Sequence, residues 1–165
     1  MRESEKKILE RGALAKECER LRAAGRRVVF TNGCFDLMHA GHAASLEFAR
    51  RQGDVLVVGL NTDAGIRRLK GPERPIVDER NRARMMAALE CVDYVTWFDE
   101  DEPKALIAEL LPDVLVKAAD WAHYVSGRDV VEARGGKVVL APMVQGLSST
   151  TLISRIRAGK GVGGE

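Results

Sequence analysis

Two histidines at positions i and i+3, His39 and His42, are the side chains best suited to chemistry in this chain of 165 residues. At the start of a helix these positions share one face, so both imidazoles can point at one object. Gly41, between them, removes a side chain and allows a close approach. A helix N-terminus offers unpaired N–H groups and a partial positive charge, which suits a phosphate. The pattern therefore indicates binding of phosphate oxygens whose charge is redistributed during a transfer reaction.

A metal site and a helix cap are the alternative interpretations of this pair. A zinc site needs further ligands at metal spacing, and His-Glu-x-x-His is absent. The chain has three cysteines, Cys18, Cys34 and Cys91, and no two of them form a Cys-x-x-Cys pair. An odd number at this wide spacing excludes a disulfide scaffold and a cysteine zinc site. The P-loop, G-x-G-x-x-G and G-x-S-x-G motifs are also missing. We therefore name no metal ligand.

The charge of the chain is nearly balanced overall but not locally. The 26 Lys and Arg residues and 24 Asp and Glu residues give a formal net charge of +2, too small to indicate a nucleic-acid partner. Between Arg67 and Arg84, seven basic residues stand against three acidic ones, so this stretch is +4 and the remainder is −2. A local excess of this kind favours a small anionic ligand.

Length and hydropathy predict one soluble domain, residues 1–165, with an N-terminal helical extension at 1–25 and a flexible tail at 159–165. The 45% apolar and 30% charged shares argue against disorder. No apolar run approaches the ~20 residues of a membrane helix. The first residues lack an apolar signal segment, so we expect a cytoplasmic protein with no membrane association. The oligomeric state stays open, a homo-oligomer included.

Alternating strands and helices must position the histidines. Apolar runs predict strands at 28–30, 55–60, 94–98, 114–116 and 137–140. Helical spacing predicts helices at 14–24, 41–52, 79–90, 103–111, 125–134 and 149–158, and the polar segment after the second strand is predicted as a loop. This order predicts an α/β fold, a single doubly wound Rossmann-like domain of about five mainly parallel strands with helices on both faces. Ligands on such sheets bind beyond the carboxyl ends of the strands, where strand order reverses.

The segment TNGCFDLMHAGH at 31–42 resembles the signature of the cytidylyltransferase-like nucleotidyltransferases, the HxGH superfamily. The segments NTD at 61–63, RLKG at 68–71, RP at 74–75, LVK at 115–117 and STT at 149–151 follow in the order of that family. Together they are most similar to the adenylyltransferase domain of ADP-heptose synthases, which joins ATP to D-glycero-β-D-manno-heptose 1-phosphate. The resemblance covers about residues 26–156.

The resemblance implies direct transfer, in which a sugar-phosphate oxygen attacks the α-phosphorus of ATP in line and pyrophosphate leaves. Positioning and charge stabilisation then supply the catalysis. The implied catalytic residues are His39, His42, Lys70 and Arg82. The implied nucleotide-binding residues are both histidines with Thr31, Asn32, Gly33, Cys34, Phe35, Asp36, Gly41, Lys117, Ser149, Thr150 and Thr151. Those implied for the sugar phosphate are Asp63, Lys70 and Asp120, and Mg²⁺ would enter with ATP, held mainly by its phosphates.

Some of these residues have simpler interpretations. Asp36 suits a turn, and Ser149 suits a helix N-cap. Gly33 would tolerate the backbone angles needed beneath the nucleotide. Cys34 would line the site without acting as a nucleophile, because no base accompanies it. An extra serine before Ser-Thr-Thr leaves open whether Ser148 or Ser149 contacts phosphate.

Two other functions stay open. The first is a cytidylyltransferase acting on glycerol 3-phosphate or a similar alcohol phosphate; such relatives usually carry R-T-x-G-I-S-T-T, whereas residues 141–147 contain no arginine. The second is a non-catalytic ATP-binding module, which would not need both histidines. Many relatives also carry a sugar-kinase domain ahead of this one, and 25 residues cannot encode it, so we expect the sugar 1-phosphate to come from a separate protein.

Overall fold

The computed structural model describes residues 3–144 and 146–160. Its strands are β1 (Val28–Gly33), β2 (Val55–Asn61), β3 (Tyr94–Phe98), β4 (Val114–Ala118) and β5 (Lys137–Ala141). They form one sheet in the order β3-β2-β1-β4-β5, and every neighbouring pair is parallel. The order reverses at β1, since the chain moves outward through β2 and β3 and then returns to β4. The predicted doubly wound, Rossmann-like α/β fold is confirmed.

The described residues hold seven α-helices between and around these strands. They are α1 (Arg11–Ala23), α2 (Ala40–Arg50), α3 (Asp63–Lys70), α4 (Glu79–Ala88), α5 (Lys104–Leu110), α6 (Arg128–Glu132) and α7 (Ser149–Arg157), with short 3₁₀ turns at Ser4–Lys7 and Ala119–Trp121. None of the helices in this part of the chain is long and apolar enough to cross a membrane. The predicted tail runs past residue 160 and from there lies outside the described residues.

One element prediction was wrong, and the bounds of several other elements differ from those predicted. Helix α3 occupies part of the segment predicted as a loop; the Thr62 side chain caps it by accepting from the Gly65 amide, and Gly71 ends it with a φ of 96°. Helix α6 begins three residues later than predicted, because Gly127 has a φ of 86°. A Cβ at Gly127 would also lie 2.6 Å from the side chain of Ile107, so the chain passes too close there for another residue.

The core consists of two apolar clusters, one on each face of the sheet. On one face α1, α5 and α6 cover the sheet, with Leu14, Phe30, Leu106 and Leu115 among the buried side chains. On the other face α2 and α4 cover it, with Leu46, Leu56, Met86 and Val116. Strand β2 is buried throughout, as its uninterrupted apolar run predicts. Helix α1, predicted as an extension, therefore contributes to the core.

Candidate active site

A cavity of about 730 Å³ lies at the carboxyl edge of the sheet, beyond β1, β2 and β4. The loop after β1, the end of α3 and the start of α7 complete its walls. This is the location that the strand order predicts for a ligand. The structure brings most of the predicted site residues to this cavity: Asn32, Gly33, Cys34, Phe35, Asp36, His39, Gly41, His42, Lys70, Lys117, Asp120, Ser149 and Thr150.

The two imidazoles of the predicted pair stack on each other in this cavity. The ring centroids of His39 and His42 are 3.8 Å apart with an angle of 23° between the planes, and the Phe35 ring lies 5.2 Å from that of His42. A Cβ at Gly41 would come within 3.0 Å of His39 Nδ1, so the glycine makes room for the histidine itself. The group that closely approaches Gly41 is thus the His39 ring, which belongs to the same motif.

Burial keeps both imidazoles neutral near neutral pH. Burial lowers the pKa of His39, and burial together with the neighbouring His39 lowers the pKa of His42 to about 4. The Nδ1 atoms of both rings are buried with no hydrogen-bond partner among the described residues. Buried polar atoms without a partner destabilise the protein by roughly 1–3 kcal/mol each, so they mark a site with unused hydrogen-bonding capacity.

The loop before these histidines takes its shape from Phe35 and Gly33. Phe35 has a φ of 45°, in the left-handed region that few large side chains adopt. A Cβ at Gly33 would lie 3.0 Å from the Phe35 ring. The unusual backbone angle expected at Gly33 is therefore found at Phe35, and Gly33 leaves the space that the ring fills.

Arg82 does not line the cavity and instead holds its walls together. Its Nε donates to the Val77 carbonyl at 2.9 Å, and Nη1 donates to the Cys34 carbonyl at 2.7 Å. Its Nη2 donates to the Asn61 carbonyl and to Asp63 Oδ1, both at 2.8 Å. We call this group the Arg82 clasp. Every nitrogen of the guanidinium group donates to a protein oxygen, so Arg82 acts here as a positioning residue.

Asp36 makes a second buried connection, between the loop after β1 and the segment before α4. Its carboxylate accepts from Arg74 Nε at 2.7 Å and from the amides of Ile76 and Val77. Burial raises the pKa of Asp36, but the hydrogen bonds from Ile76, Val77 and Arg74 lower it more, so the net shift is downward. The carboxylate therefore stays charged and orients the loop, but its partners lie 38 to 41 residues away, so the interpretation as a turn aspartate is wrong.

The ends of β1, β2 and β4 contribute Asn32, Asn61 and Lys117. Lys117 Nζ donates to Asn32 Oδ1 at 2.9 Å, and burial lowers the pKa of this ammonium group. Burial raises the pKa of the Cys34 thiol, whose Sγ lies 3.8 Å from Asn61 Oδ1. A thiol held in its protonated form is a poor nucleophile. Asn61 was not among the predicted site residues, although its place at the end of β2 could have indicated it.

Helix α7 presents its N-terminus to the cavity, and its N-cap is Ser148, not Ser149 as the sequence suggests. Ser148 Oγ accepts from the Thr151 amide at 3.0 Å, and Ser149 Oγ donates to the Leu37 carbonyl at 2.8 Å. Both serines line the cavity together with Thr150. Among the predicted binding residues, Thr31, Asp63 and Thr151 do not line the cavity.

Only part of the basic stretch 67–84 reaches the cavity. Lys70 and Arg74 line it. Arg68 pairs with Asp99 and Asp101, and the side chain of Arg84 contacts Ser4 and Glu5. The basic residues of this stretch are thus divided: some line the cavity, some form ion pairs on the surface, and Arg82 is buried.

Several lining residues carry no motif and were not predicted from the sequence. They come from the segments after β3 and after β5: Asp101, Glu102, Pro103, Met143, Val144 and Leu147. Glu102 is held by hydrogen bonds from the hydroxyls of Tyr124 and Ser126, both at 2.9 Å. In the described part of the chain, no three His, Cys, Asp or Glu side chains are grouped closely enough to hold a metal ion.

Comparison with known proteins gives relatives over nearly the whole chain. The family model described as cytidylyltransferase-like matches residues 30–155. The bifunctional protein HldE of Trichlorobacter lovleyi is 53% identical over 156 residues, which cover 94% of this chain and 32% of that protein. HldE of Azorhizobium caulinodans is 58% identical over 137 residues, covering 82% of this chain and 29% of that protein. The chain thus spans about a third of the length of these curated relatives.

A solved structure has the same fold. The lipopolysaccharide core biosynthesis protein from Thermoplasma volcanium GSS1 superposes with a TM-score of 0.60 and 26% sequence identity. The match covers 73% of this chain and 98% of that one.

Proposed function

The chain belongs to the cytidylyltransferase-like family, and we propose that it joins ATP and D-glycero-β-D-manno-heptose 1-phosphate to give ADP-heptose and pyrophosphate. The observation that carries this proposal is the stacked, neutral pair His39 and His42 in the cavity at the carboxyl edge of the sheet. The sugar is supported by the RLKG and LVK segments, whose lysines Lys70 and Lys117 line that cavity, and by similarity to a lipopolysaccharide core biosynthesis protein.

The proposed reaction needs no protein nucleophile. An oxygen of the sugar 1-phosphate bonds to the α-phosphorus of ATP, the bond from that phosphorus to the bridging oxygen breaks, and pyrophosphate leaves with that oxygen. Charge then shifts onto the pyrophosphate, so groups that stabilise phosphoryl oxygens accelerate the step. His39 and His42 would donate hydrogen bonds to these oxygens, and Lys70, Arg74 and Lys117 would supply positive charge.

The acceptors in the cavity suit the hydroxyl groups of the two substrates. The carboxylates of Asp101, Glu102 and Asp120 line the cavity. Ionised carboxylates only accept hydrogen bonds, and sugar hydroxyls are donors that they recognise. The same side chains would repel phosphates, which confines the phosphate groups to the part of the cavity with the histidines and lysines.

Mg²⁺ would enter with ATP and neutralise part of the phosphate charge. Mg²⁺ commonly keeps several waters and binds substrate phosphates with one or two carboxylates. Among the described residues no three metal-ligating side chains are grouped, so the phosphates of ATP and water would supply the ligands, and no side chain is assigned to the metal.

A panel of pyrophosphate-release assays tests the substrates. ATP, CTP and GTP are each combined with heptose 1-phosphate, glycerol 3-phosphate and pantetheine phosphate in the presence of Mg²⁺. We expect release with ATP and heptose 1-phosphate. Release with CTP and glycerol 3-phosphate alone would establish the cytidylyltransferase instead, and ATP binding without release from any pair would indicate a binding module.

The His39→Ala variant tests the chemistry. Loss of one preorganised donor to a transition-state oxygen lowers turnover by about 100-fold or more. The variant His123→Ala is the matched control, since the third histidine is exposed and does not line the cavity. Equal turnover of His39→Ala and His123→Ala would overturn the assigned role of the pair, provided that both variants keep the far-ultraviolet spectrum of the parent.

A further inference from the structure

A second cavity, of about 510 Å³, lies at the opposite, amino edge of the sheet. Its walls come from the end of α1, the turn before β1, the start of β4 and the turn before β5. Strand β1 has six residues, so roughly 20 Å of sheet separates the two edges. The cavity is therefore distinct from the candidate active site.

The lining of this cavity is strongly basic. Five basic side chains line it together with one carboxylate, that of Asp113: Arg22, Arg26, Arg27, Arg134 and Lys137. None of the five forms an ion pair within the described residues, whereas Arg68, Arg74 and Arg82 at the other edge all do. The Asp113 carboxylate accepts from the Val28 amide at 2.7 Å, so it is engaged by the backbone.

Two of these cations have structural roles, and three do not. Arg22 donates to the Leu110 carbonyl at 2.6 Å, at the end of α5, and Arg26 donates to the Asp54 carbonyl at 3.2 Å. In the described part of the chain the side chains of Arg27, Arg134 and Lys137 make no hydrogen bond and are exposed. Like charges in one cavity repel each other, and an anion removes that repulsion.

Two glycines form turns that line this cavity. Gly25 and Gly135 have φ angles of 73° and 78°, which form the two turns that carry the cations. A Cβ at either position would meet no atom within 4 Å, so the surface there is open to a ligand.

We infer that this cavity binds a small anion that carries two or more phosphate charges and no aromatic base. Guanidinium groups match phosphate geometry and form charge-assisted hydrogen bonds with it. The volume is in the range of small-molecule sites. Among the described residues that line the cavity, none carries an aromatic ring on which a base could stack, and Val114 is almost fully buried. This inference is independent of the proposed function, because it rests on the other edge of the sheet.

The test is a titration of the ¹⁵N-labelled chain with inorganic pyrophosphate, followed by NMR at constant ionic strength. We expect saturable shifts at the amides of Gly25, Gly135 and Gly136, separate from any shifts at Gly33 and Gly41. Sodium sulfate, titrated to the same ionic strength, is expected to shift the first group with at least about 10-fold weaker affinity. Equal responses to the two salts would show general screening and overturn the inference.

The variant Arg134→Ser/Lys137→Ser identifies the groups responsible. We expect about 10-fold weaker pyrophosphate binding at the amino edge and unchanged shifts at Gly33 and Gly41. The variant Lys16→Ser/Arg51→Ser removes the same charge from exposed positions outside both cavities and is expected to bind as the parent does.

An alternative role for these cations is to stabilise the carbonyl ends of α1, α5 and α6, which lie at this edge. In that case Arg134→Ser/Lys137→Ser would lower the urea midpoint of unfolding and leave pyrophosphate binding unchanged. That pair of results would overturn the inference. Retention of the midpoint with loss of binding would support it.

Discussion

Arg82 shows how one buried charge can connect the walls of a site. The residue is 1% exposed, and the Arg82 clasp joins the loop after β1, the end of β2 and the segment before α4. Removal of a buried charged partner leaves the other groups uncompensated, which typically destabilises a protein by about 3–5 kcal/mol. We expect Arg82→Met to lower the free energy of unfolding by about this amount, measured by urea denaturation.

The neighbouring Arg80 supplies the control for that experiment. It is exposed on the same helix, and its side chain makes no hydrogen bond among the described residues. Arg80→Met is expected to change the free energy of unfolding by no more than about 0.5 kcal/mol. Similar losses in the two variants would contradict the clasp and indicate an effect of the helix itself.

His42 makes stability depend on pH in a defined window. Its pKa is lowered from 6.5 to about 4 in the folded chain. Between these values the unfolded chain binds a proton that the folded chain does not, so stability rises with pH and is lost as the pH falls from 6.5 toward 4. We expect His42→Asn to have a shallower dependence of the free energy of unfolding on pH in this window.

His39, whose pKa is lowered in the same direction, contributes to the remaining slope of that variant, and the carboxyls of Asp36 and Glu100, whose pKa values are also lowered, add to it near pH 4. The measurement is a series of urea midpoints at pH values from 4 to 7. A slope in His42→Asn as steep as that of the parent would contradict the buried, neutral imidazole.

At this scale the sequence identifies which residue types belong to the site, but not every position. The histidine pair, Lys70 and Lys117 line the cavity as predicted, because they belong to short motifs or stand at the end of a strand. Arg82 was predicted to be catalytic and lies outside the cavity, because its partners are fixed only by folding: the carbonyls of Cys34 and Asn61 are 48 and 21 residues away in sequence. No local pattern indicates such contacts.

Helix α7 illustrates how an element aims its end at the cavity. Ser148 caps it through the Thr151 amide, while the Thr150 side chain is exposed. Loss of a serine N-cap typically costs about 1 kcal/mol of stability. We expect Ser148→Ala to lower the free energy of unfolding by about that amount and to increase hydrogen exchange at the Thr151 amide.

Thr150→Ala is the matched change for comparison. It alters the cavity wall without removing a cap, so we expect the free energy of unfolding to stay within about 0.5 kcal/mol of the parent. Equal destabilisation by the two variants would show that Ser148 is not the cap.

The elements that the sequence predicts best are those with strong apolar periodicity. Strand β3 has the predicted bounds, and β2 differs by one residue. Helix α3 was missed because it is short and mostly polar, and because the Gly71-Pro72 and Arg74-Pro75 dipeptides after it favour a loop. Its ends did carry signals, with Thr62 as the cap, Asp63 in the first turn and Lys70 in the last, and these agree with the helix dipole.

The whole molecule depends on one sheet with a core on each face. Leu115 belongs to the cluster beneath α1 and α5, and Leu56 belongs to the cluster beneath α2 and α4. Because both clusters use the same strands, we expect them to unfold together. Leu115→Ala and Leu56→Ala should each cost about 2–5 kcal/mol.

Both variants should also keep a single unfolding transition, with circular dichroism and tryptophan fluorescence changing at the same urea concentration. A separate transition for one face would contradict this coupling. Strand alternation in the sequence predicts the layered fold, but the order β3-β2-β1-β4-β5 arises from crossovers that pack distant segments. The exact position of the cavity therefore emerges only with the folded sheet.

The Arg82 clasp affects which residues of the site can be substituted during evolution. Three of its four partners are main-chain oxygens, at Cys34, Asn61 and Val77. A main-chain oxygen is present whatever residue occupies the position, so the clasp does not depend on those side chains. Cys34 and Asn61 also line the cavity, so their side chains can be exchanged to suit another ligand while the walls stay in place. The side chains of these residues can therefore change with the ligand, while their main-chain oxygens keep the same hydrogen bonds to Arg82.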